Sequence, residues 1–357
     1  MERRWRALAG CGLIGLIFLF VQLGALALVQ PFETAGYQAV EDPSDPTNSV
    51  VYVALILVVT AGMLLAFRYD ADQLIRGVIV FSGAWLSLYV FRVVVPPLVT
   101  VAGVNVLAVG LAALLGIGLL VHPEWYVIDA AGTVMGAAGA GLFGISFGIL
   151  PALLLLSVLA VYDAISVYGT EHMLTLASGV MDLKVPVVLV IPLSLSYSFL
   201  DATTPDPTDE DGSEAADADT ASADDGVESE DEATETDSQP AGDGEQSAGE
   251  EAMESDPLDR EALFIGLGDA VIPTVLVASA AFFAPAGIAT VAGLPLPAVG
   301  AMVGTFLGLA VLLWMVLKGR AHAGLPLLNG GTIAGYVVGA TAAGIGLVEA
   351  LGLAPYL

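Results

Sequence analysis

The stretch Phe264-Ile265-Gly266-Leu267-Gly268-Asp269 places one carboxylate in an apolar run, directly after two glycines that let another backbone approach. An ionisable side chain at membrane depth is costly, so such a residue is by default a candidate functional group with a partner nearby. The best candidate for that partner is Asp163, in the stretch Val161-Tyr162-Asp163-Ala164. The number and direction of the membrane crossings decide whether the two carboxylates can meet.

The composition is that of a polytopic helical membrane protein rather than a water-soluble one. Of the 357 residues, 56% are hydrophobic and 41 are glycine, and the mean hydropathy is +0.82. Several apolar runs approach ~20 residues, the length that a helix needs to cross ~30 Å of hydrocarbon. Since Cys11 is the only cysteine, the chain offers neither an internal disulfide nor a thiolate metal cluster.

The net charge of -28 is concentrated in one segment. Of the 38 acidic residues, 23 lie between Asp201 and Asp259, in a low-complexity stretch with too few apolar side chains to form a core. We therefore predict a disordered acidic inner loop over residues 201–260. Scarce lysine with abundant acid suggests a salt-loving source and disfavours nucleic acid as a partner.

Nine apolar segments are predicted to be membrane spans, which makes the fold class an all-α polytopic membrane protein. They are Ala7–Val29, Val50–Phe67, Gly77–Val95, Pro97–Val121, Tyr126–Phe147, Ile149–Val167, Glu261–Ala284, Leu294–Leu317 and Leu325–Ala350. Basic residues cluster on the cytoplasmic side of such proteins. With the N-terminus inside and the C-terminus outside, nine of the ten Lys and Arg residues fall on the inner side, and only Arg92 does not. The sequence thus predicts a six-span bundle over residues 1–200 and a three-span bundle over residues 261–357.

The segment Val185–Leu200 is apolar, yet we do not count it as a span. It is short and interrupted by Pro186 and Pro192, and its valine and isoleucine content suits an extended or interfacial piece. Counting it as a span would also place Lys318 and Arg320 outside. One hypothesis is that this inner segment pairs with a substrate as a strand. The alternative is an interfacial segment without such a role.

This topology places the two aspartates at matching depth. Asp163 lies eight residues before Glu171 on the sixth span, and Asp269 lies eight residues after Glu261 on the antiparallel seventh span. At 1.5 Å per helical residue, each carboxylate is then ~12 Å from the inner polar boundary. Two carboxylates that meet can share a proton. One then takes a proton from water while the other donates to a scissile carbonyl oxygen.

Tyr162-Asp163 and Gly266-Leu267-Gly268-Asp269 resemble the YD and GxGD motifs of the presenilin and signal peptide peptidase family of intramembrane aspartyl proteases. The third motif of that family, Pro-Ala-Leu at the start of the ninth helix, is similar to Pro326-Leu327-Leu328, with leucine in place of alanine. The resemblance covers essentially the whole chain and suggests an archaeal-type homologue. It implies nine membrane helices with the aspartates on the sixth and seventh, and a long variable loop between them.

The resemblance also implies a set of site residues. The catalytic pair would be Asp163 and Asp269. The substrate-binding residues would be Tyr162, Gly266, Leu267, Gly268, Pro326, Leu327 and Leu328. The glycines would leave room for an unwound substrate and allow close helix contact, while Pro326 would break the start of its helix and expose backbone near the pair.

The implied activity is that of an intramembrane aspartyl endopeptidase in the plasma membrane, with its active site in the cytoplasmic half. Its partners would be the lipid bilayer and transmembrane protein or peptide substrates, such as remnant signal peptides or single-span anchors. A carboxylate pair supplies both acid and base, so the implied enzyme needs no metal or organic cofactor.

Other function classes fit the sequence less well. A proton- or cation-coupled transporter could also use paired carboxylates as an ion site, but transporters often show internal repeats, and we find no convincing duplication. Gly144-Ile145-Ser146-Phe147-Gly148 matches GxSxG without the strand-turn-helix context of a serine hydrolase. A zinc protease is disfavoured because no His-Glu-x-x-His occurs. A noncatalytic scaffold would leave both buried acids unexplained.

Two further features yield structural predictions. The glycine ladders Gly300-Gly304-Gly308 and Gly331-Gly335-Gly339 predict close packing of the eighth and ninth spans, with a hydrated path as the alternative. Asp129, near the inner start of the fifth span, is expected at the membrane interface.

Overall fold

The computed structural model describes residues 2–69, 71–169, 186–194, 197–200, 262–318 and 323–356. The predicted acidic loop lies outside these residues, as do Glu171 and Glu261, which set the expected depths. The described part contains nine long helices. They are α1 (Glu2–Thr34), α2 (Thr47–Arg68), α3 (Asp72–Val94), α4 (Val106–Val121), α5 (Trp125–Ser146), α6 (Ile149–Gly169), α7 (Leu267–Phe282), α8 (Leu296–Val316) and α9 (Gly324–Ala342). A short helix, α10 (Leu347–Ala350), and a 3-10 turn (Ala354–Tyr356) follow.

The described helices differ in how well they suit a membrane. Six of them, α1, α2, α3, α5, α6 and α8, are long and apolar enough to cross it. The apolar helices α4 and α7 have 16 residues each, which is about 24 Å of helix against ~30 Å of hydrocarbon. Helix α9 has 19 residues and includes the polar Asn329 and Thr332. The described part is a mostly helical membrane protein, and nine crossings stay a prediction.

The predicted fourth span, Pro97–Val121, is wrong at its start. Strands β1 (Thr100–Val101) and β2 (Val104–Asn105) pair antiparallel there, and α4 begins only after β2. Between the strands, Ala102 and Gly103 have positive φ values of 52° and 79°. Positive φ at both central residues is what a two-residue hairpin turn of type I′ requires.

A second hairpin repeats this turn between α7 and α8. Strands β5 (Thr290–Val291) and β6 (Leu294–Pro295) pair antiparallel, and Ala292 and Gly293 have φ values of 51° and 82°. Both hairpins contain the tetrapeptide Thr-Val-Ala-Gly. The sequence reasoning missed this short internal repeat, because it is far shorter than a duplicated bundle.

The predicted seventh span, Glu261–Ala284, begins with a strand and not with a helix. Strand β4 (Ala262–Gly266) pairs antiparallel with β3 (Val188–Pro192). Helix α7 begins at Leu267, whose N–H donates to the carbonyl oxygen of Val187 at 2.7 Å. A strand rises ~3.3 Å per residue and a helix 1.5 Å, so the depth calculated for the second aspartate is wrong.

Helix α5 is largely buried and contacts α1, α3, α4, α7 and strand β3. Its glycines and alanines make these contacts close. A Cβ added at Gly144 would collide with the side chain and backbone of Ala278 on α7. Ser146, the serine of the GxSxG match, accepts a hydrogen bond from the N–H of Ala39 at 2.9 Å. The GxSxG match therefore lies in a helix end that packs against neighbouring segments.

The glycine ladders of α8 and α9 face each other, so the prediction of close packing is confirmed. A Cβ added at Gly304 would collide with the carbonyl oxygen of Gly331, and one added at Gly300 would collide with that of Gly335. The two helix backbones are thus in direct contact. Such contact leaves no room for a hydrated path between these glycines.

Candidate active site

Asp163 lies in the second half of α6, with 5% of its surface exposed. Its Oδ2 accepts a hydrogen bond from the backbone N–H of Leu325 at 3.0 Å. Leu325 is in the first turn of α9, where N–H groups have no partner within their own helix. The N-terminus of a helix also carries a partial positive charge, which favours a carboxylate beside it.

Asp269 lies in the first turn of α7, directly after β4, and is partly exposed. A Cβ added at Gly324 would lie 3.2 Å from its Oδ2 and 3.4 Å from its Oδ1, so Gly324 borders this carboxyl group. Two consecutive residues at the start of α9 thus contact the two aspartates, Gly324 at Asp269 and Leu325 at Asp163. The two carboxyl groups thus lie at the same turn of α9. Helices α6, α7 and α9 therefore converge on one pair of carboxyl groups.

The two glycines before Asp269 border open space. Gly266 and Gly268 are both exposed. A Cβ added at Gly266 would lie 3.7 Å from Asp269 Oδ2, which is ordinary contact, and one added at Gly268 would meet no atom within 4 Å. The expectation that Gly268 allows close helix contact is therefore wrong for the described part of the chain. No atom of the described residues occupies the space beside it.

Leu267 and Tyr162 differ in their surroundings. The Leu267 side chain packs against α5, where a Cβ added at Gly136 would lie 3.2 Å from its Cδ1. Leu267 therefore belongs in large part to the core beneath the carboxyl groups. Tyr162 neighbours Asp163 in the chain and is 39% exposed.

The triplet Pro326-Leu327-Leu328 continues the first turns of α9. Leu328 is fully buried and packs in one cluster with Ala270 of α7. A Cβ added at Gly308 of α8 would collide with the Leu327 carbonyl oxygen. The triplet thus fixes α9 against α7 and α8. The contacts described at the carboxyl groups come from Gly324 and Leu325.

Sequence reasoning missed Gly324 and Leu325. The family motif marks the correct turn of the chain but begins at the next residue, Pro326. A signal was present, since the N–H groups of the first turn of any helix are free to bind an anion. Choosing between adjacent residues of that turn requires the orientation of the helix.

Asp129 is buried between elements of the protein, and its expected depth at the membrane interface stays a prediction. It is 7% exposed on α5, and its Oδ1 accepts a hydrogen bond from the N–H of Val190 in β3 at 2.8 Å. Its Oδ2 is buried and has no hydrogen-bond partner among the described residues. The carboxyl group therefore connects α5 to the β3–β4 strand pair.

Glu124 immediately precedes α5 and holds the chain beyond β3. Its carboxylate accepts hydrogen bonds from Ser198 Oγ at 2.7 Å and from the Phe199 N–H at 3.0 Å. Burial works to raise the pKa of Glu124, but these bonds, with one from the Trp125 N–H and the nearby His122, outweigh it. The pKa of Glu124 is therefore lowered from its ordinary value of 4.5.

Among the residues that the structure describes, no three His, Cys, Asp or Glu side chains are grouped as ligands for a metal ion.

The family described as signal-peptide peptidase, presenilin aspartyl protease matches residues 15–345. The chain belongs to this family. A solved structure of a presenilin family intramembrane aspartate protease in space group C222 is 29% identical with a TM-score of 0.59, covering 93% of this chain and 99% of the other. Another, in space group P2, is 28% identical with a TM-score of 0.56, covering 92% and 96%. No curated protein matches the chain.

Members of the signal-peptide peptidase and presenilin family are intramembrane aspartyl proteases. Family membership and the apolar helices together indicate an integral membrane protein. The solved presenilin-family structures match over nearly all of their own length, so the likeness extends over the whole fold.

Proposed function

We propose that this member of the presenilin family is an endopeptidase that hydrolyses peptide bonds within transmembrane segments, with Asp163 and Asp269 as its catalytic pair. The observation that carries the proposal is the start of α9. Its N–H at Leu325 binds Asp163, and the adjacent Gly324 borders Asp269. A structural role for one buried acid would not require a second acid beside it.

The chemistry is that of a carboxylate pair that shares one proton. The ionised carboxylate takes a proton from water, whose oxygen attacks the scissile carbonyl carbon, while the protonated carboxyl donates its proton to the carbonyl oxygen. The product is a tetrahedral gem-diol. The roles then exchange: the C–N bond breaks, the amine leaves with a proton, and a new carboxylate remains.

A substrate helix must unwind before this attack, because its carbonyl groups are already hydrogen-bonded. The sequence suggested that residues 185–200 pair with the substrate as a strand. However, β3 is hydrogen-bonded to β4 on one edge and to Asp129 on the other. The second edge of β4 has no strand partner in the described part of the chain. An unwound substrate therefore adds to β4, which leads directly to Asp269.

The remaining predicted substrate-binding residues divide into two groups. Gly266 and Gly268 leave space for substrate backbone, and Tyr162 offers an exposed side chain beside Asp163. Pro326-Leu327-Leu328 supports the turn of α9 that borders both carboxyl groups. Leu267 supports the start of α7 from beneath.

The substrates are remnant signal peptides or single-span anchors in the cell membrane. The proposed topology has nine spans, the N-terminus inside and the carboxyl pair in the cytoplasmic half. The acidic composition suggests a salt-loving source, and the family resemblance suggests an archaeal-type homologue. No finding favours the transporter alternative.

The test is cleavage of a transmembrane reporter peptide by the purified full chain in detergent. Asp163→Asn and Asp269→Asn keep the side-chain volume but remove the acid–base groups, so each is expected to lower the rate by ~10²-fold or more. Asn329→Leu on the buried face of α9 is a control for general disturbance of that helix. Cleavage that survives either aspartate variant would refute the proposal.

A further inference from the structure

The far edge of strand β3 is closed by a side chain and not by another strand. Val187 and Leu267 form a hydrogen-bonded pair at one end of the ladder, and Val190 lies opposite Phe264. Because hydrogen-bonded pairs alternate along antiparallel strands, the Val190 N–H points away from β4. It points to Asp129, whose Oδ1 accepts it at 2.8 Å.

This contact fixes the β3–β4 strand pair to α5, the most buried of the candidate spans. Val190 is 0% exposed and packs in one cluster with Ile128 of α5. A buried N–H without an acceptor is costly, so the strand depends on the oxygen that Asp129 supplies. Glu124, five residues earlier, holds Ser198 and Phe199 on the same side.

Strand β4 of this pair is followed in the chain by the helix that carries Asp269. Strand β4 ends at Gly266, and Asp269 follows three residues later in the first turn of α7. A displacement of β3 therefore moves β4 and the chain that carries Asp269. Asp129 touches neither Asp163 nor Asp269 in any described contact, so its effect on them passes through the β3–β4 strand pair.

We propose that Asp129 is a positioning residue for peptide hydrolysis, which holds β3 by its Oδ1 and thereby holds the substrate-pairing edge of β4 in register with Asp269. The inference rests on the proposed function. The property that matters is the acceptor oxygen, because Oδ2 has no hydrogen-bond partner among the described residues. An amide supplies the same acceptor, and an alkyl group does not.

The experiment compares Asp129→Asn and Asp129→Leu in the purified full chain. For Asp129→Leu we expect kcat/KM on the transmembrane reporter to fall about tenfold or more, mainly through KM, because the substrate-pairing strand loses its support. Amide hydrogen exchange in residues 188–191 should accelerate in the same variant. Asp129→Asn should stay within about threefold of the wild type in both measurements.

Thr133→Val is the matched control. Thr133 lies one turn further along α5, and its hydroxyl donates to the Asp129 carbonyl oxygen within the same helix at 2.7 Å. This variant removes a hydrogen bond from α5 without touching β3, so it should leave KM and the amide hydrogen exchange of β3 unchanged. An equal loss in Thr133→Val would assign the effect to helix stability and overturn the proposal.

Val190→Pro tests the same contact from the other side and keeps the proposal falsifiable if Asp129→Leu fails to fold. It removes the N–H that donates to Asp129 and leaves the hydrogen bonds between β3 and β4 in place, because this N–H points away from β4. In the double variant Asp129→Leu/Val190→Pro, the losses of kcat/KM should not add, because both substitutions remove the same hydrogen bond.

Wild-type KM in Asp129→Leu, or a defect in Asp129→Asn as large as in Asp129→Leu, would overturn the inference. A wild-type protein that cleaves no reporter would refute the protease proposal instead. The amide exchange measurement on residues 188–191 would still report on the contact in that case.

Discussion

Gly268 directly precedes Asp269, yet an added Cβ at this position would meet no atom of the described residues within 4 Å. Gly324 is different, because a Cβ there would press on the Asp269 carboxyl group at 3.2 Å. Two glycines next to one carboxyl group therefore serve different purposes. A side chain at Gly324 would crowd the Asp269 carboxyl group, whereas the proposed role of Gly268 is to leave room for the substrate backbone.

Gly268→Ala is therefore expected to separate activity from stability. Alanine in a helix is favoured over glycine by about 0.5–1 kcal/mol, so the Tm in detergent should not fall. Cleavage of the transmembrane reporter should fall about tenfold or more, because the methyl group occupies space that the substrate backbone needs. Thermal unfolding and steady-state kinetics measure the two effects.

Gly12→Ala is the control for this prediction. Among the described residues, a Cβ at Gly12 on α1 also meets nothing within 4 Å, and Gly12 lies far from the carboxyl pair in sequence. It should leave cleavage unchanged. Full activity in Gly268→Ala would contradict a substrate role for this glycine.

At the scale of single elements, the position of α9 depends on the glycines that let it contact α8. Gly330 and Gly331 are adjacent on α9 but face different surroundings. A Cβ at Gly331 would collide with the backbone of Gly304, whereas one at Gly330 would meet nothing within 4 Å in the described part of the chain. The start of the same helix contacts both aspartates, so displacement of α9 disturbs the site.

Gly331→Ala should thus destabilise the protein by about 1–3 kcal/mol through overpacking. It should also reduce cleavage by up to ~10²-fold, because α9 carries Leu325 and Gly324 away from the carboxyl groups. Gly330→Ala is the matched control and should be neutral or slightly stabilising. Equal unfolding temperatures for the two variants would contradict the packing observed between α8 and α9.

The contact of Glu124 with Ser198 and Phe199 predicts a pH dependence of stability. The pKa of Glu124 is lowered in the folded protein, so its contribution is fully present above the ordinary pKa of 4.5. That contribution is lost as the pH falls below this value through the lowered pKa, because the unfolded chain then binds the proton more readily.

Measuring Tm from about pH 7 down to about pH 3 tests this. Glu124→Gln removes the titrating group, so the difference in Tm between wild type and variant should shrink toward the acid end. A difference that stays constant over this range would show that the Glu124 charge does not support the fold.

At the scale of the whole molecule, the predicted direction of the chain decides which side of the membrane the carboxyl pair faces. The prediction places the β5–β6 hairpin outside and the end of α8 inside. Lys318, which lies over the ring of Trp314 at 3.7 Å, follows α8 directly. Both positions lie in the described part and can carry a label.

A topology test starts from Cys11→Ser, which removes the only cysteine. In that background, Ala292→Cys should react with a membrane-impermeant maleimide added to intact cells, because the hairpin is outside. Lys318→Cys should react only after the membrane is permeabilised. Labelling of Lys318→Cys in intact cells would reverse the proposed orientation.

Much of the fold was predictable because it depends on local composition. Apolar runs and the flanking basic residues indicated a polytopic membrane protein, and the ends of α2, α5, α6 and α8 lie within a few residues of the prediction. The starts of α4 and α7 were not predictable in this way. The residues before each of these helices are apolar, like those of a membrane helix. They form strands because they pair with another strand, as Leu263 does with Ile191.

The sequence by itself determined the class of the protein and its two candidate acids, since a carboxylate in an apolar run is costly wherever the run folds. Only the tertiary structure decided what surrounds those acids. The Leu325 N–H reaches Asp163 across 162 residues of chain, and Asp129 reaches Val190 across 61. Such contacts depend on how helices orient against each other, and no local pattern encodes that orientation.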